Sequence, residues 1–279
     1  MTDHLLEQHH SRLIMKTRKP THGTLMLIGG HADRDGECVI LHEVARLIRH
    51  GAGRLLIVTS SPSADVDKCA AFFKRAGVRQ IDTLHIETRE DASAVAHVEL
   101  VRSASALLLA GSNAHALVRM IEGTALHAAL HVFYAKGGLL VGDDGGAAAL
   151  SGMMILEGVT EHPTSVSRSP ESGLRLLEDV ITDARFSSGD GIWRLISTVA
   201  QAPDLLGFGL DEDTALIIDP EEQCTVLGAG ALYIIDGSAI TYANVPNQSH
   251  EAMTGFNIKL HVLTNGYGFH LPSRTPTLI

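Results

Sequence analysis

Gly142-Asp143-Asp144-Gly145-Gly146 combines two acids with the glycine spacing of a sharp turn from strand to helix. An apolar run, Leu139 to Val141, leads into it, and an alanine-rich stretch, Ala147 to Ala149, follows. The G-x-D-x-G layout is that of a G-x-S-x-G nucleophile elbow, which holds its central residue up at the top of a sheet on a strained backbone. Glycines flank that residue because the turn brings backbones too close for a Cβ. Here the raised residue is Asp144, so the scaffold is that of a hydrolase and its reactive atom is a carboxylate oxygen. A carboxylate could attack an amide directly. The product would be a mixed anhydride, a poor route, and water would still need a second base.

Positioning such a turn requires a sheet, and the sequence supplies one. Thr24–Ile28 reads as a buried strand and Arg54–Thr59 as a second, apolar one; Gln80–His85, Ala106–Ala110 and the run into the elbow, Leu139–Val141, read as further strands. Helical patterns alternate with them at about Glu37–His50, Val66–Ala76, Ala92–Ser103, His115–Ile121 and Ala125–Lys136. This alternation predicts an α/β fold, a doubly wound and mostly parallel sheet with helices on both faces, resembling the glutamine-amidotransferase and flavodoxin types. Such sheets bind ligands at the carboxyl ends of their strands. The loops at Gly29, Ser60, Gly111 and Gly142 are therefore expected to converge on one crevice. Past the elbow, Glu161–Glu171 reads as a Ser/Pro-rich surface loop and Gly191–Val199 as a helix. Short β-like runs follow at Ala215–Ile218, Thr225–Leu227, Leu232–Ile235 and Ile240–Tyr242, and Asp236-Gly237-Ser238 suits a hairpin between the last two.

Length and composition set further bounds. The 279 residues carry a formal net charge of −10, which argues against nucleic acid and against an anionic membrane surface. No apolar stretch reaches membrane-spanning length, and residues 1–20 read as a polar, flexible tail with no signal-peptide pattern. A single domain is expected over residues 21–279. Cys38, Cys69 and Cys224 are odd in number and widely spaced, which fits buried thiols in a cytoplasmic protein.

From Gly29 to about Asn244 the chain resembles the cyanophycinase family, serine peptidases with a glutamine-amidotransferase-like fold. Leu27-Ile28-Gly29-Gly30, Gly111-Ser112-Asn113, the elbow with Ser151-Gly152-Met153-Met154-Ile155, and Thr182-Asp183-Ala184-Arg185-Phe186-Ser187 carry the resemblance. So do Leu205-Leu206-Gly207-Phe208-Gly209-Leu210-Asp211-Glu212-Asp213-Thr214-Ala215, Gly228-Ala229-Gly230-Ala231-Leu232-Tyr233 and Asp236-Gly237-Ser238. The resemblance implies a dimeric cytoplasmic enzyme without a cofactor or metal. Its substrate would be cyanophycin, a poly-aspartate bearing arginine on each side chain, cleaved to β-aspartyl-arginine through an acyl-enzyme. It also implies that the triad serine falls on Asp144, the histidine on Arg185 and the acid on Glu212. Of the family's substrate-binding positions, one falls on Ala114 beside Asn113, and the remaining arginine on Arg194. Asp33 of the first glycine loop and Asp183 complete the binding set.

Arg185 cannot act as a base, because a guanidinium keeps its proton in a protein. It can grip a carboxylate bidentately, so an Asp144–Arg185–Glu212 ion chain is the expected use of the two replacements. The implied role is a non-catalytic subunit pairing with an active homologue, or a binder of arginine-rich polymer or peptide. The alternative is an active hydrolase of cyanophycin or a related peptide or amide, using a changed site around Asp144. His31, Asp33, Asp35 and Glu37 lack zinc-type spacing and read as a solvated loop. Ser112, Ser151 and Ser187 have no elbow and read as turn or cap residues, and His115 reads as a surface helix residue.

Overall fold

The computed structural model describes residues 22–50, 53–60, 64–155, 170–184, 186, 191–245 and 253–279. The tail expected over residues 1–20, most of the loop expected at Glu161–Glu171, Ser187 and Arg185 lie outside these residues.

The predicted parallel strands form with little change: β1 (Leu25–Ile28), β2 (Arg54–Thr59), β3 (Gln80–His85), β4 (Ala106–Gly111) and β5 (Leu139–Asp144). Between them run α1 (Val39–His50), α2 (Ala64–Arg75), α3 (Val95–Ser103), α4 (Ala114–Ile121) and α5 (Ala125–Ala135). The helix expected at Ala92–Ser103 is split: Asp91–Ser93 is a 3-10 turn and α3 begins only after Ala94. Asp91 causes the break, since its carboxylate accepts from the Glu87 and Thr88 amides and ties the chain into a turn.

Beyond the elbow lie α6 (Gly145–Leu150), β6 (Ser151–Met154), β7 (Glu171–Ser172), β8 (Leu177–Ala184) and α7 (Gly191–Gln201). Strands β9 (Leu206–Leu210), β10 (Thr214–Ile218), β11 (Gln223–Gly228), β12 (Leu232–Asp236), β13 (Tyr242–Asn244) and β14 (Thr254–Phe256) follow. The last three are β15 (Lys259–Leu263), β16 (Tyr267–His270) and β17 (Thr275–Leu278).

Two large sheets result. One has nine strands in the order β17-β16-β11-β10-β1-β5-β4-β2-β3, parallel from β1 to β3 and antiparallel from β10 to β17. The other has six, in the order β15-β12-β9-β8-β6-β7. Residues of β1 alternate between two cores. Met26 and Ile28 pack with Val44, Ile48 and Phe73 of α1 and α2, and Leu25 and Leu27 pack with Leu117 and Leu130 of α4 and α5. That second core continues into the six-stranded sheet through Phe208, Leu210, Leu232 and Ile234. The far face of the six-stranded sheet is covered by Leu195 and Val199 of α7.

Two expectations are corrected here. The hairpin at Asp236-Gly237-Ser238 does not form, because β12 pairs with β9 and β15 while β13 pairs with β14. The reason lies in Asp236, whose side chain is fully buried and accepts from Arg274 and Lys259 as well as from the Ser238 amide. Glu171, placed in a loop by its surroundings, opens β7 and pairs with Met154.

Candidate functional site

Strand β5 lies between β1 and β4, so Asp144 ends the central parallel strand, level with Gly111 of β4, while its neighbour Asp143 is level with Ile28 of β1. The backbone at Asp144 is held at φ 57°, ψ −119°, a conformation that L-residues avoid and that the elbow imposes. The glycines on either side make the turn possible. A Cβ at Gly146 would lie 2.0 Å from the Leu109 carbonyl oxygen, and one at Gly142 would lie 2.6 Å from the Gly146 carbonyl oxygen. On the open side, the place a Cβ would take at Gly30 is 3.3 Å from Asp144 Cβ and Cγ, so the β1 loop lies directly against the raised side chain. Thr59 of β2 approaches Gly111 from the other flank. The carboxyl ends of β1, β2, β4 and β5 thus meet around the elbow.

The acidic turn between β9 and β10 closes this end of the sheet. The Gly29 amide donates to the Thr214 carbonyl at 2.9 Å, and the Asp213 amide donates to the Gly30 carbonyl at 3.0 Å. The Asp33 amide donates in turn to Asp213 Oδ1 at 2.9 Å. Stitched in this way, the two loops bring His31 Nδ1 to 2.7 Å from Glu212 Oε1. His31 sits at φ 45°, in the left-handed region, and 68% of its side chain is exposed, against 48% for Glu212. Arg34 of the same loop reaches toward the elbow, 3.9 Å from Asp143 Oδ2. The expected Asp144–Arg185–Glu212 chain runs through a residue outside those described. Within the described residues, Glu212 is seen bonded to His31.

The remaining predicted site residues have local duties. Asp33 accepts from the amides of Asp35, Gly36 and Cys38, and these bonds, that of Gly36 foremost, hold its carboxyl below the usual range. Asn113 caps α4 by accepting from the Ala116 amide at 2.9 Å. Ala114 is buried, and its amide nitrogen lies 2.7 Å from where a Cβ would stand on Gly145, so it packs against the elbow. Asp183 and Arg194 find each other: the guanidinium donates through Nε at 2.9 Å and Nη2 at 3.0 Å, and both side chains are buried. Arg194 is therefore locked into the protein interior by Asp183. Ser151 is fully buried and bonds Thr182. His115 pairs with Glu171 at 2.7 Å. Among the described residues no three metal-ligating side chains gather, and no helix is long and apolar enough to cross a membrane.

Sequence reasoning set His31 aside as a loop residue. Its partner is 181 positions away, and the one available signal was that both flank short glycine-bounded turns at strand ends.

Residues 26–226 match peptidase family S51. A cyanophycinase of Nostoc sp. is 31% identical over 274 residues, covering 94% of this chain and 90% of the relative. A cyanophycinase of Synechococcus elongatus is 29% identical over 258 residues, covering 89% and 79% respectively. Among solved structures, a peptidase from an acI-B1 Actinobacterium superposes with a TM-score of 0.65 at 20% identity, over 90% of this chain and 98% of that one. A putative peptidase E protein from Listeria monocytogenes gives a TM-score of 0.53 at 13% identity, over 75% of this chain. Together with the elbow at the end of the central strand, the profile match and the relatives lead to one conclusion: this chain belongs to peptidase family S51, among its cyanophycinase-like members.

Proposed function

We propose that this protein binds an arginine-bearing β-aspartyl polymer or peptide at the elbow crevice and does not hydrolyse it unaided. In the cell it would act as a non-catalytic, cytoplasmic partner of an active homologue, in a dimer built on the shared family surface. The observation that carries this reading is the strained elbow at φ 57°, ψ −119°, which presents an aspartate side chain where the family's acyl transfer uses a hydroxyl, and attack by a carboxylate would give only a mixed anhydride. Asp143, Asp144 and Glu212 give the crevice an anionic character suited to a guanidinium. Arg185, at the position implied for the base, cannot accept a proton.

The test is to incubate the purified chain with cyanophycin, follow β-aspartyl-arginine release, and measure retention of the chain on the polymer. Retention without release is expected. A second reading, hydrolysis by a changed site around Asp144, is favoured by the His31–Glu212 pair beside the elbow. Under that reading dipeptide appears and Asp144→Asn abolishes it, which would overturn the first.

A further inference from the structure

We infer that His31, oriented by Glu212, is a general base beside the elbow, so that a proton-bearing nucleophile placed at position 144 would be activated by it. Glu212 sits at 2.7 Å from Nδ1 of the imidazole, which places the proton of the neutral ring on that nitrogen and leaves Nε2 as the acceptor. Two backbone hydrogen bonds between the loops, Gly29 to Thr214 and Asp213 to Gly30, fix this orientation. Gly30, the residue before His31, lies against the Asp144 side chain. Base, orienting acid and elbow tip are the three parts a nucleophilic triad needs; the β1 loop and the turn before β10 supply the first two as a bonded pair, and the residue next to His31 touches the third. The inference goes beyond polymer binding and does not depend on it.

The experiment installs the missing part. Asp144→Ser is treated with a small alkyl fluorophosphonate and analysed by intact mass and peptide mapping. The serine hydroxyl gives its proton to His31 Nε2, the Oγ–P bond forms, and fluoride leaves with the bonding electrons. Labelling at position 144 is expected, slowed roughly a hundredfold when His31→Ala is added. Free imidazole should restore much of the rate in that double variant, which a merely structural role for His31 would not produce. Glu212→Gln should lie between the two. Thermal melts verify folding. If Asp144→Ser does not fold, Asp144→Cys with iodoacetamide replaces it, with the same dependence on His31 expected. Absence of labelling in a folded variant, or labelling indifferent to His31, overturns the inference. Neither result bears on whether the unaltered chain holds cyanophycin.

Discussion

Two side-chain pairs of similar length, Asp183–Arg194 and His31–Glu212, sit in opposite surroundings. Asp183 and Arg194 meet at 2.8–3.0 Å with side chains 3% and 8% exposed, under α7. His31 and Glu212 meet at 2.7 Å with side chains 68% and 48% exposed, beside the elbow. The first pair is taken out of water, so removing one member costs the other its bidentate hydrogen bonds in a buried setting. The second remains hydrated and contributes little to stability. It can give up its geometry to a ligand at small cost. Distance alone does not tell the two apart; burial does.

That contrast can be broken most directly at Arg194. Arg194→Ala should destabilise the fold by about 3–5 kcal/mol in urea titrations, and replacing both partners by apolar residues should recover much of the loss. A small effect of the single change would put the pair in the same class as His31–Glu212. Asp236 extends the buried side of the comparison. Burial alone would raise its carboxyl, but the Ser238 amide and hydroxyl, Arg274 and Lys259 outweigh that and hold it far below its ordinary 3.8. Its folded value is depressed, so its contribution is complete above the ordinary value and is lost as pH falls toward the folded one. Asp236→Asn should thus cost roughly 1.5–3 kcal/mol near neutrality, with the gap to the parent chain narrowing below about pH 4. Gly146→Ala tests the elbow's packing. A Cβ 2.0 Å from the Leu109 carbonyl should cost about 1–3 kcal/mol by differential scanning calorimetry. Smallest of all, His31→Ala should leave the urea midpoint unmoved, and a clear drop would show that the exposed pair is structural.

The parallel half of the nine-stranded sheet was legible because β1, β2, β4 and β5 are largely buried and read as near-continuous apolar runs, while the edge strand β3, mostly exposed or half-buried, was marked by the glycine turn before it. β2 and β3 match their predicted bounds. The six-stranded sheet was obscure for the opposite reason. β9 is Leu-Gly-Phe-Gly-Leu, with glycines that weaken any strand signal, yet Phe186 and Leu195 fill the space beside Gly207 and Gly209. β8 begins with exposed acids, and only Val180 to Asp183 are buried. The turn at Asp236 failed because its carboxylate answers to Arg274, 38 positions on. At the site, Asp144 was visible through local glycine spacing, whereas the His31–Glu212 bond depends on β10 lying beside β1, a long-range pairing that no local pattern encodes.

The turn that carries Glu212 also has a mechanical meaning. It leaves β9 in the six-stranded sheet at Leu210 and enters β10 in the nine-stranded sheet at Thr214. Asp211, Glu212 and Asp213 therefore form one of the crossings between the two sheets. Gly29 and Gly30 are tied to this crossing, with the Asp211 carbonyl oxygen packed tightly against Gly29. The loop against Asp144 is thereby hung from a crossing between the sheets, so its position is set by where the chain passes from one sheet to the other.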